Sequence, residues 1–132
     1  MWDRPVGPRK IKSLKTGTTS ITRLGFTLGG SYSTYKTYMD SKGTDSSTNW
    51  YKNFALLKKM TGADFIDFDD ESCYSADSLT QLGKMLGDIG YKVSLCPYCY
   101  PSVWSTVKSN LGSIVDEVNL QCYDGGAGND PA

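Results

Sequence analysis

The sequence predicts an α/β domain in which short parallel strands alternate with helices. Short apolar runs that are typical of buried strands alternate with longer segments in which apolar residues recur at helical spacing. The segments between successive strands are long enough for the crossover connections that parallel pairing requires. The 132 residues contain no internal repeat and no linker that would split them, so we expect a single domain over residues 1–132.

The first half of the chain predicts two strands and one helix. Ser20–Leu28 is a short apolar run that ends in Gly29-Gly30, which is typical of a strand that enters a tight loop. Ser31–Thr48 is rich in Ser, Thr and Tyr and is predicted to be a long loop, and loops of this length are often functional. Asn49–Met60 has apolar residues near helical spacing and a glycine soon after its end, so it is predicted to be a helix. Ala63–Asp69 alternates between apolar and polar residues and predicts a strand.

The second half of the chain continues this alternation. Ser75–Ile89 is amphipathic and is followed by a glycine, which predicts a helix and its end. Tyr91–Cys96 predicts the next strand. Ser102–Leu111 predicts a helix that Pro101 opens, because proline is favoured in the first turn. Asp116–Tyr123 predicts the last strand, so the predicted order is β-α-β-α-β-α-β.

The composition excludes several classes of function. Lys and Arg total 14 and Asp and Glu total 14, so neither nucleic acid nor a membrane surface is expected as a partner. No apolar run is long enough to cross a bilayer, and Met1–Pro5 has no apolar core of a secretory signal, which leaves the localisation open. The chain has no His, which excludes His-based triads, His general bases and most catalytic zinc sites.

Cys96-Pro97-Tyr98-Cys99 is a CxxC motif that matches the redox dithiol of glutaredoxins. In thiol oxidoreductases of that type the dithiol follows the first strand and lies at the start of a helix that lowers the thiol pKa. Here the motif comes late in the chain, and Cys99 precedes the proline that is predicted to open the next helix. We therefore expect two ordinary thiols or a local structural pair, and a thiol oxidoreductase stays open as an alternative.

A row of acidic residues lies at the end of the second predicted strand. Side chains alternate along a strand, so Asp67, Asp69 and Glu71 are expected on one face, each ~6.6 Å along from the last. Ile66 and Phe68 are expected on the other face, under helices. Carboxylates on a buried strand are costly unless they are hydrogen-bonded or take part in chemistry. The row therefore predicts a catalytic site, with a magnesium or calcium site as an open alternative.

Asp67-Phe68-Asp69-Asp70-Glu71 fits the DxDxE motif of glycoside hydrolase family 18, the chitinases and endo-N-acetylglucosaminidases, and the chain resembles that family. Thr27-Leu28-Gly29-Gly30 resembles the SxGG segment that ends the third barrel strand in the family. Gln121-Cys122-Tyr123-Asp124 resembles the QxY or MxYD segment that ends the sixth. The resemblance implies a partial (β/α)8 TIM barrel of about four to five βα units, since a full barrel takes ~250 residues. Asp70 replaces the family's aromatic residue, and we expect it to point outward and to change packing more than chemistry.

The resemblance implies a role for each polar residue of these segments. Glu71 would protonate the leaving glycosidic oxygen and later activate water. Asp69 would bind the acetamido N–H of the substrate, and Asp67 would share a proton with Asp69 and orient it. Tyr123 would donate to the acetamido oxygen, which attacks the anomeric carbon in place of a second carboxylate. Asp124 would line the same subsite.

The resemblance also implies the substrate and the partners. Gly29, Gly30, Gln121 and Asp124 would bind β-1,4-linked N-acetylglucosamine in oligomers, chitin or an N-glycan core, and no metal or organic cofactor is expected. A non-hydrolytic carbohydrate-binding relative or an inactive fragment is the alternative. An incomplete barrel has open strand edges, so a homo-oligomer is also an expectation.

Overall fold

The computed structural model describes residues 7–123, which form an α/β fold. The strands in this range are β1 (Gly25–Leu28), β2 (Phe65–Phe68), β3 (Lys92–Leu95) and β4 (Val115–Val118). The helices are α1 (Pro8–Ser13), α2 (Tyr32–Lys42), α3 (Asn49–Thr61), α4 (Ala76–Ile89) and α5 (Pro101–Leu111), and a 3₁₀ turn covers Gly112–Ile114. None of these helices is long and apolar enough to cross a membrane.

The strands of residues 7–123 form one sheet in which every neighbouring pair is parallel and the order is β1-β2-β3-β4. The register places Thr27, Asp67 and Ser94 side by side across the first three strands. Side chains at paired positions point to the same face of a sheet, so this row is polar on one face. The predicted α/β class with parallel strands is confirmed.

The other face of the sheet forms the core. Ile66 and Phe68 of β2 are 1% and 0% exposed, and Val93 and Leu95 of β3 are equally buried. The helices α3, α4 and α5 pack side by side, with α4 between the other two. The prediction that Ile66 and Phe68 pack under helices is confirmed, because both belong to the same buried cluster as the apolar residues of α4.

The central helix α4 is bounded by the signals that its sequence carries. The Ser75 side chain caps its start by accepting a hydrogen bond from the Ser78 N–H at 3.3 Å. Gly90 ends it in the left-handed conformation that glycine adopts without strain. Inside the helix, a Cβ at Gly83 would lie 2.4 Å from Leu111 Cδ1. The missing side chain therefore allows α4 and α5 to approach closely.

The prediction of a loop over Ser31–Thr48 is wrong, because Tyr32–Lys42 forms α2. The segment has too few aliphatic residues to show a helical pattern. Its buried positions are Tyr32 and Met39, two turns apart, and other tyrosine rings of α2 pack on Trp50 of α3. The helix is thus stabilised by tertiary packing of tyrosines, and packing of this kind outweighs helix propensity in most proteins.

The first and last predicted strands are too long. In Ser20–Leu28 the residues 20–23 are exposed and precede β1. In Asp116–Tyr123 the residues 119–123 lie beyond the end of β4. Gln121 in this last segment is nevertheless only 4% exposed, because its side chain is bound at the edge of the sheet.

Candidate functional site

The predicted site residues meet at the carboxyl edge of the sheet. Gly29 and Gly30 follow β1, Asp69 follows β2, and Gln121 lies just beyond β4. The ladder between the first two strands extends past their ends, since the Asp69 N–H donates to the Leu28 carbonyl at 3.2 Å. The carboxyl ends of parallel strands are where α/β folds usually form ligand and active sites.

Gln121 connects the last segment of the site to the carboxylates. Its amide Nε2 donates to Asp69 Oδ1 at 3.0 Å and to the Cys96 carbonyl at 3.3 Å. Its Oε1 accepts a hydrogen bond from the Tyr123 hydroxyl. The chain segments after β2, β3 and β4 are therefore joined through one amide side chain, although they lie far apart in the sequence.

The two glycines after β1 shape the opposite side of the site. A Cβ at Gly29 would lie 3.5 Å from Asp69 Oδ2, which is an ordinary contact, so the backbone here already borders the carboxylate. Gly30 has a φ of 85°, in the left-handed region that glycine favours. Its carbonyl accepts a hydrogen bond from the Ser72 hydroxyl at 3.3 Å. The two loops after β1 and β2 are thus in direct contact.

Asp67 lies on the polar face of β2, and only one of its two carboxylate oxygens has a hydrogen-bond partner among the described residues. Its Oδ2 is 3.3 Å from the Thr27 hydroxyl, which donates to it from β1. Its Oδ1 is buried and has no hydrogen-bond partner among the residues that the structure describes. A buried carboxylate oxygen without a partner is costly and is characteristic of functional sites.

Asp69 is the carboxyl whose titration the site changes. Burial raises the pKa of Asp69 above its usual value, and the negative charges of Glu71 and Asp67 raise it further. The hydrogen bond from Gln121 acts in the opposite direction, because it stabilises the carboxylate. Asp69 therefore holds a proton more readily than an isolated aspartate would.

Glu71 and Tyr123 lie on the exposed side of this cluster. The Glu71 side chain is exposed, and the Tyr123 side chain is 66% exposed. Partial burial raises the pKa of the Tyr123 hydroxyl, and the nearby charge of Glu71 raises it further. Asp124, the remaining predicted residue, lies outside the described residues.

Tyr32 is a site residue that the sequence did not reveal. Its hydroxyl accepts a hydrogen bond from the Asp69 N–H at 3.1 Å and donates to the Leu28 carbonyl. The side chain is 4% exposed, and burial together with the nearby carboxylates raises the pKa of this phenol, so the hydroxyl stays a donor. The segment that forms its helix was predicted to be a loop. The one signal in the sequence for Tyr32 was the position of a tyrosine shortly after Gly29-Gly30.

Tyr32→Phe is expected to lower the free energy of unfolding by about 1–2 kcal/mol, because it removes a hydroxyl that bridges two buried backbone groups. Tyr38→Phe on the same helix is the matched control, since its half-buried ring packs on Trp50 and a smaller loss is expected. Urea unfolding of both variants measures the difference. An equal loss in the two variants would contradict the bridging role.

Asp70 does not behave as the sequence predicted. It was expected to point outward and to matter mainly for packing, but its side chain is 0% exposed and its carboxylate accepts hydrogen bonds from the backbone of the following loop. Carboxylates of this kind are stabilised by the donors around them, and they organise the loop in return. The pattern of the sequence carries no signal for such bonds, because every residue except proline has the same backbone donor.

The CxxC motif borders the acidic cluster from β3. Burial and the charges of Asp67 and Asp69 raise the pKa of the Cys96 thiol to about 11. Cys99 lies before Pro101, the first residue of α5, and its carbonyl accepts a hydrogen bond from the Trp104 indole at 2.8 Å. A reactive dithiol needs a lowered thiol pKa. The environment of Cys96 has the opposite effect.

The site as a whole combines carboxyl groups, of which Asp69 has a raised pKa, with an amide and a phenol. Within residues 7–123, no group of three or more His, Cys, Asp or Glu side chains could hold a metal ion. The arrangement can donate and accept protons and can bind amide or hydroxyl groups of a ligand. Comparisons of the chain with protein-family models, with curated proteins and with solved structures gave no match.

Proposed function

We propose that the chain is the middle part of a glycoside hydrolase barrel of the family 18 type, which cleaves β-1,4-linked N-acetylglucosamine with retention of configuration. The observation that carries the proposal is the hydrogen bond from Gln121 to Asp69 at 3.0 Å. It joins the QxY-like segment to the DxDxE-like segment, and Gly29 of the third segment borders the same carboxylate. Three sequence segments, each of which resembles a different motif of the family, therefore lie at one site.

The strand order supports a piece of a barrel. Each strand pairs with the next one along the chain, as in a (β/α)8 barrel, whereas a doubly wound sheet reverses direction at a switch point. Arg23, just before β1, forms an ion pair with Asp116 of β4 at 2.8 Å. In a flat sheet the first and fourth strands would lie ~14 Å apart. A contact between them at the amino end favours a curved sheet, with its polar face on the inside.

The proposed mechanism assigns the chemistry to the carboxyl edge. Glu71 gives its proton to the leaving oxygen as the glycosidic bond breaks and the acetamido oxygen of the substrate bonds to the anomeric carbon. Glu71 then takes a proton from the water that bonds to the anomeric carbon and displaces the acetamido oxygen. Asp69 accepts a hydrogen bond from the acetamido N–H, and Asp67 shares a proton with it, which agrees with the raised pKa of Asp69. Tyr123 donates to the acetamido oxygen in place of Gln121 Oε1, the acceptor that its hydroxyl has in the structure. Gln121 holds Asp69 in place.

A non-hydrolytic carbohydrate-binding function is the second candidate. The exposed side chain of Glu71 favours it, because a general acid works best in an enclosed site that excludes water. Within residues 7–123 no further strand pairs with β1 or β4, so in both cases a homo-oligomer is part of the proposal. Sedimentation of the purified chain measures the oligomeric state.

One set of assays on the same preparation separates these functions. Release of fluorophore from a chitobioside together with cleavage of chitooligosaccharides is the result expected for a hydrolase. Retention on chitin without cleavage would favour the binding function instead. Dithiol reductase activity with neither of these would overturn both proposals.

Cys96→Ser combined with Cys99→Ser is expected to leave hydrolysis and chitin binding within a few-fold of the unchanged chain. The reason is that the raised pKa keeps Cys96 a neutral thiol at physiological pH, and neutral thiols are poor nucleophiles. Initial rates on the chitobioside and reductase rates on a small disulfide give the comparison. A measured thiol pKa at or below neutral, with reductase activity that the double variant loses, would restore the oxidoreductase interpretation.

A further inference from the structure

We propose that Asp70 is a positioning residue, whose buried carboxylate fixes the loop Glu71–Tyr74 and thereby sets where Glu71 stands beside Asp69. The residue has no role in the chemistry proposed above, and the inference rests on the proposed function only where Glu71 acts as the acid. Asp70 lies directly between two residues of the site and is more deeply buried than either.

The Asp70 carboxylate is bound by three consecutive backbone donors. Oδ1 accepts from the N–H groups of Ser72 at 3.0 Å and Cys73 at 2.8 Å, and Oδ2 accepts from the Tyr74 N–H at 2.7 Å. Hydrogen bonds to an ionised acceptor are roughly twice as strong as neutral ones. A fully buried carboxylate needs such donors, and the loop needs the carboxylate to hold those donors in one orientation.

The loop is strained and requires this support. Tyr74 has a φ of 49°, a left-handed conformation that is unfavourable for residues other than glycine and persists only where the surroundings hold it. The shortest of the three bonds is the one to the Tyr74 N–H. The Tyr74 ring packs edge-on against Tyr100 with 4.7 Å between ring centroids. Without Asp70 the backbone would relax to a common conformation and carry the ring away.

The position of Glu71 follows from the two residues around it. Asp70 is buried before it, and Ser72 after it is bound both to Asp70 and to the Gly30 carbonyl. The Glu71 side chain itself is exposed, so the backbone sets the region that its carboxyl group can reach. Its negative charge contributes to the raised pKa of Asp69, which lies two residues earlier in the chain. A displacement of about 1 Å in an acid of this kind can cost about 100-fold in rate.

Amide hydrogen exchange of the unchanged chain gives the first test. The amides of Ser72, Cys73 and Tyr74 are expected to be protected although they belong to a loop at the surface, because each donates to Asp70. If all three amides exchange as fast as those of an unprotected loop, the proposal is overturned. This test needs no substitution.

Asp70→Asn gives the second test, with Asp77→Asn as the matched control. The amide of asparagine keeps the shape but replaces one acceptor oxygen with a donor, whereas Asp77 is exposed in the first turn of α4. Both changes are made in a chain that carries Cys96→Ser, Cys99→Ser and Cys122→Ser, so that Cys73 remains as a thiol inside the loop. Alkylation of Cys73 then reports on loop opening.

We expect Asp70→Asn to accelerate alkylation of Cys73 severalfold and to lower kcat by about 100-fold with KM little changed, while melting stays cooperative. Asp77→Asn should change neither the rate of Cys73 alkylation nor kcat. Unchanged rates of alkylation and an unchanged kcat in Asp70→Asn would overturn the proposal. A rise in KM with kcat unchanged would also overturn it. If the chain without substitutions cleaves no sugar, the proposed hydrolase is refuted. Amide hydrogen exchange and Cys73 alkylation would still decide whether Asp70 fixes the loop. If Asp70→Asn does not fold, the exchange measurement decides alone.

Discussion

Glu71→Gln is expected to lower kcat on a chitobioside by about 10²–10⁴-fold while leaving sugar binding near that of the unchanged chain. Glutamine has the shape of glutamic acid but no proton to give to the leaving oxygen. The Glu71 side chain is exposed, so the substitution does not disturb a buried contact. Initial rates and retention on chitin measure the two quantities separately.

Glu117→Gln is the control for this experiment, because Glu71 and Glu117 are the two glutamates of the chain. Glu117 is exposed on β4, in the row of paired positions that runs through Ser94 to Asp67, and its carboxylate lies 3.7 Å from Arg23. The Glu117→Gln variant should keep its activity within a few-fold of the chain without substitutions. Near-normal turnover in Glu71→Gln would refute the assignment of the general acid, and an equal loss in both variants would indicate a general effect of charge.

Phe68→Ala is expected to lower the free energy of unfolding by about 3–5 kcal/mol. The side chain is 0% exposed, lies on the apolar face of β2 and packs edge-on against Tyr32 with 6.5 Å between ring centroids. Its removal leaves a cavity between the sheet and the helices. A loss of this size is a large part of the stability of an ordinary domain. Chemical unfolding followed by tryptophan fluorescence measures it.

Phe65→Ala is the matched comparison on the same strand. Phe65 lies on the opposite face, is half-buried and has the Arg23 guanidinium over its ring at 4.9 Å. Its removal exposes less apolar surface than that of Phe68 and leaves no closed cavity. A cost at Phe65 equal to or above that at Phe68 would mean that the polar face of the sheet is the more tightly packed one.

Much of the fold could be predicted from local signals. The glycines after α3 and α4 end those helices in the left-handed conformation, as their positions indicated. The alternation around Ile66 and Phe68 predicted β2 and its buried face correctly. α2 could not be predicted, because its helical stripe consists of tyrosines and one methionine that become apolar surface only when α3 and the sheet pack against them.

The candidate site could be predicted in part. The resemblance selected Asp69 and Gln121, and the structure brings them into hydrogen-bond contact. Asp70 and Tyr32 could not be assigned from the sequence, because their partners are backbone groups. Backbone donors and acceptors are the same at almost every position, so a side chain that binds them leaves no pattern in the sequence. The roles proposed for Glu71, Asp67 and Tyr123 stay predictions.

The consecutive order of the strands also has a consequence for how the chain assembles. Gly25 pairs with Phe65, Phe65 with Lys92 and Val93 with Val115, so no pair of partners is separated by more than a third of the chain. The entropy lost in closing a loop costs only about 0.6 kcal/mol more for each doubling of its length. The three closures therefore differ in cost by about 0.6 kcal/mol or less. Folding can begin at any of the three strand pairs and proceed outward by the addition of one strand at a time, together with its connecting helix or, between β1 and β2, the two helices α2 and α3.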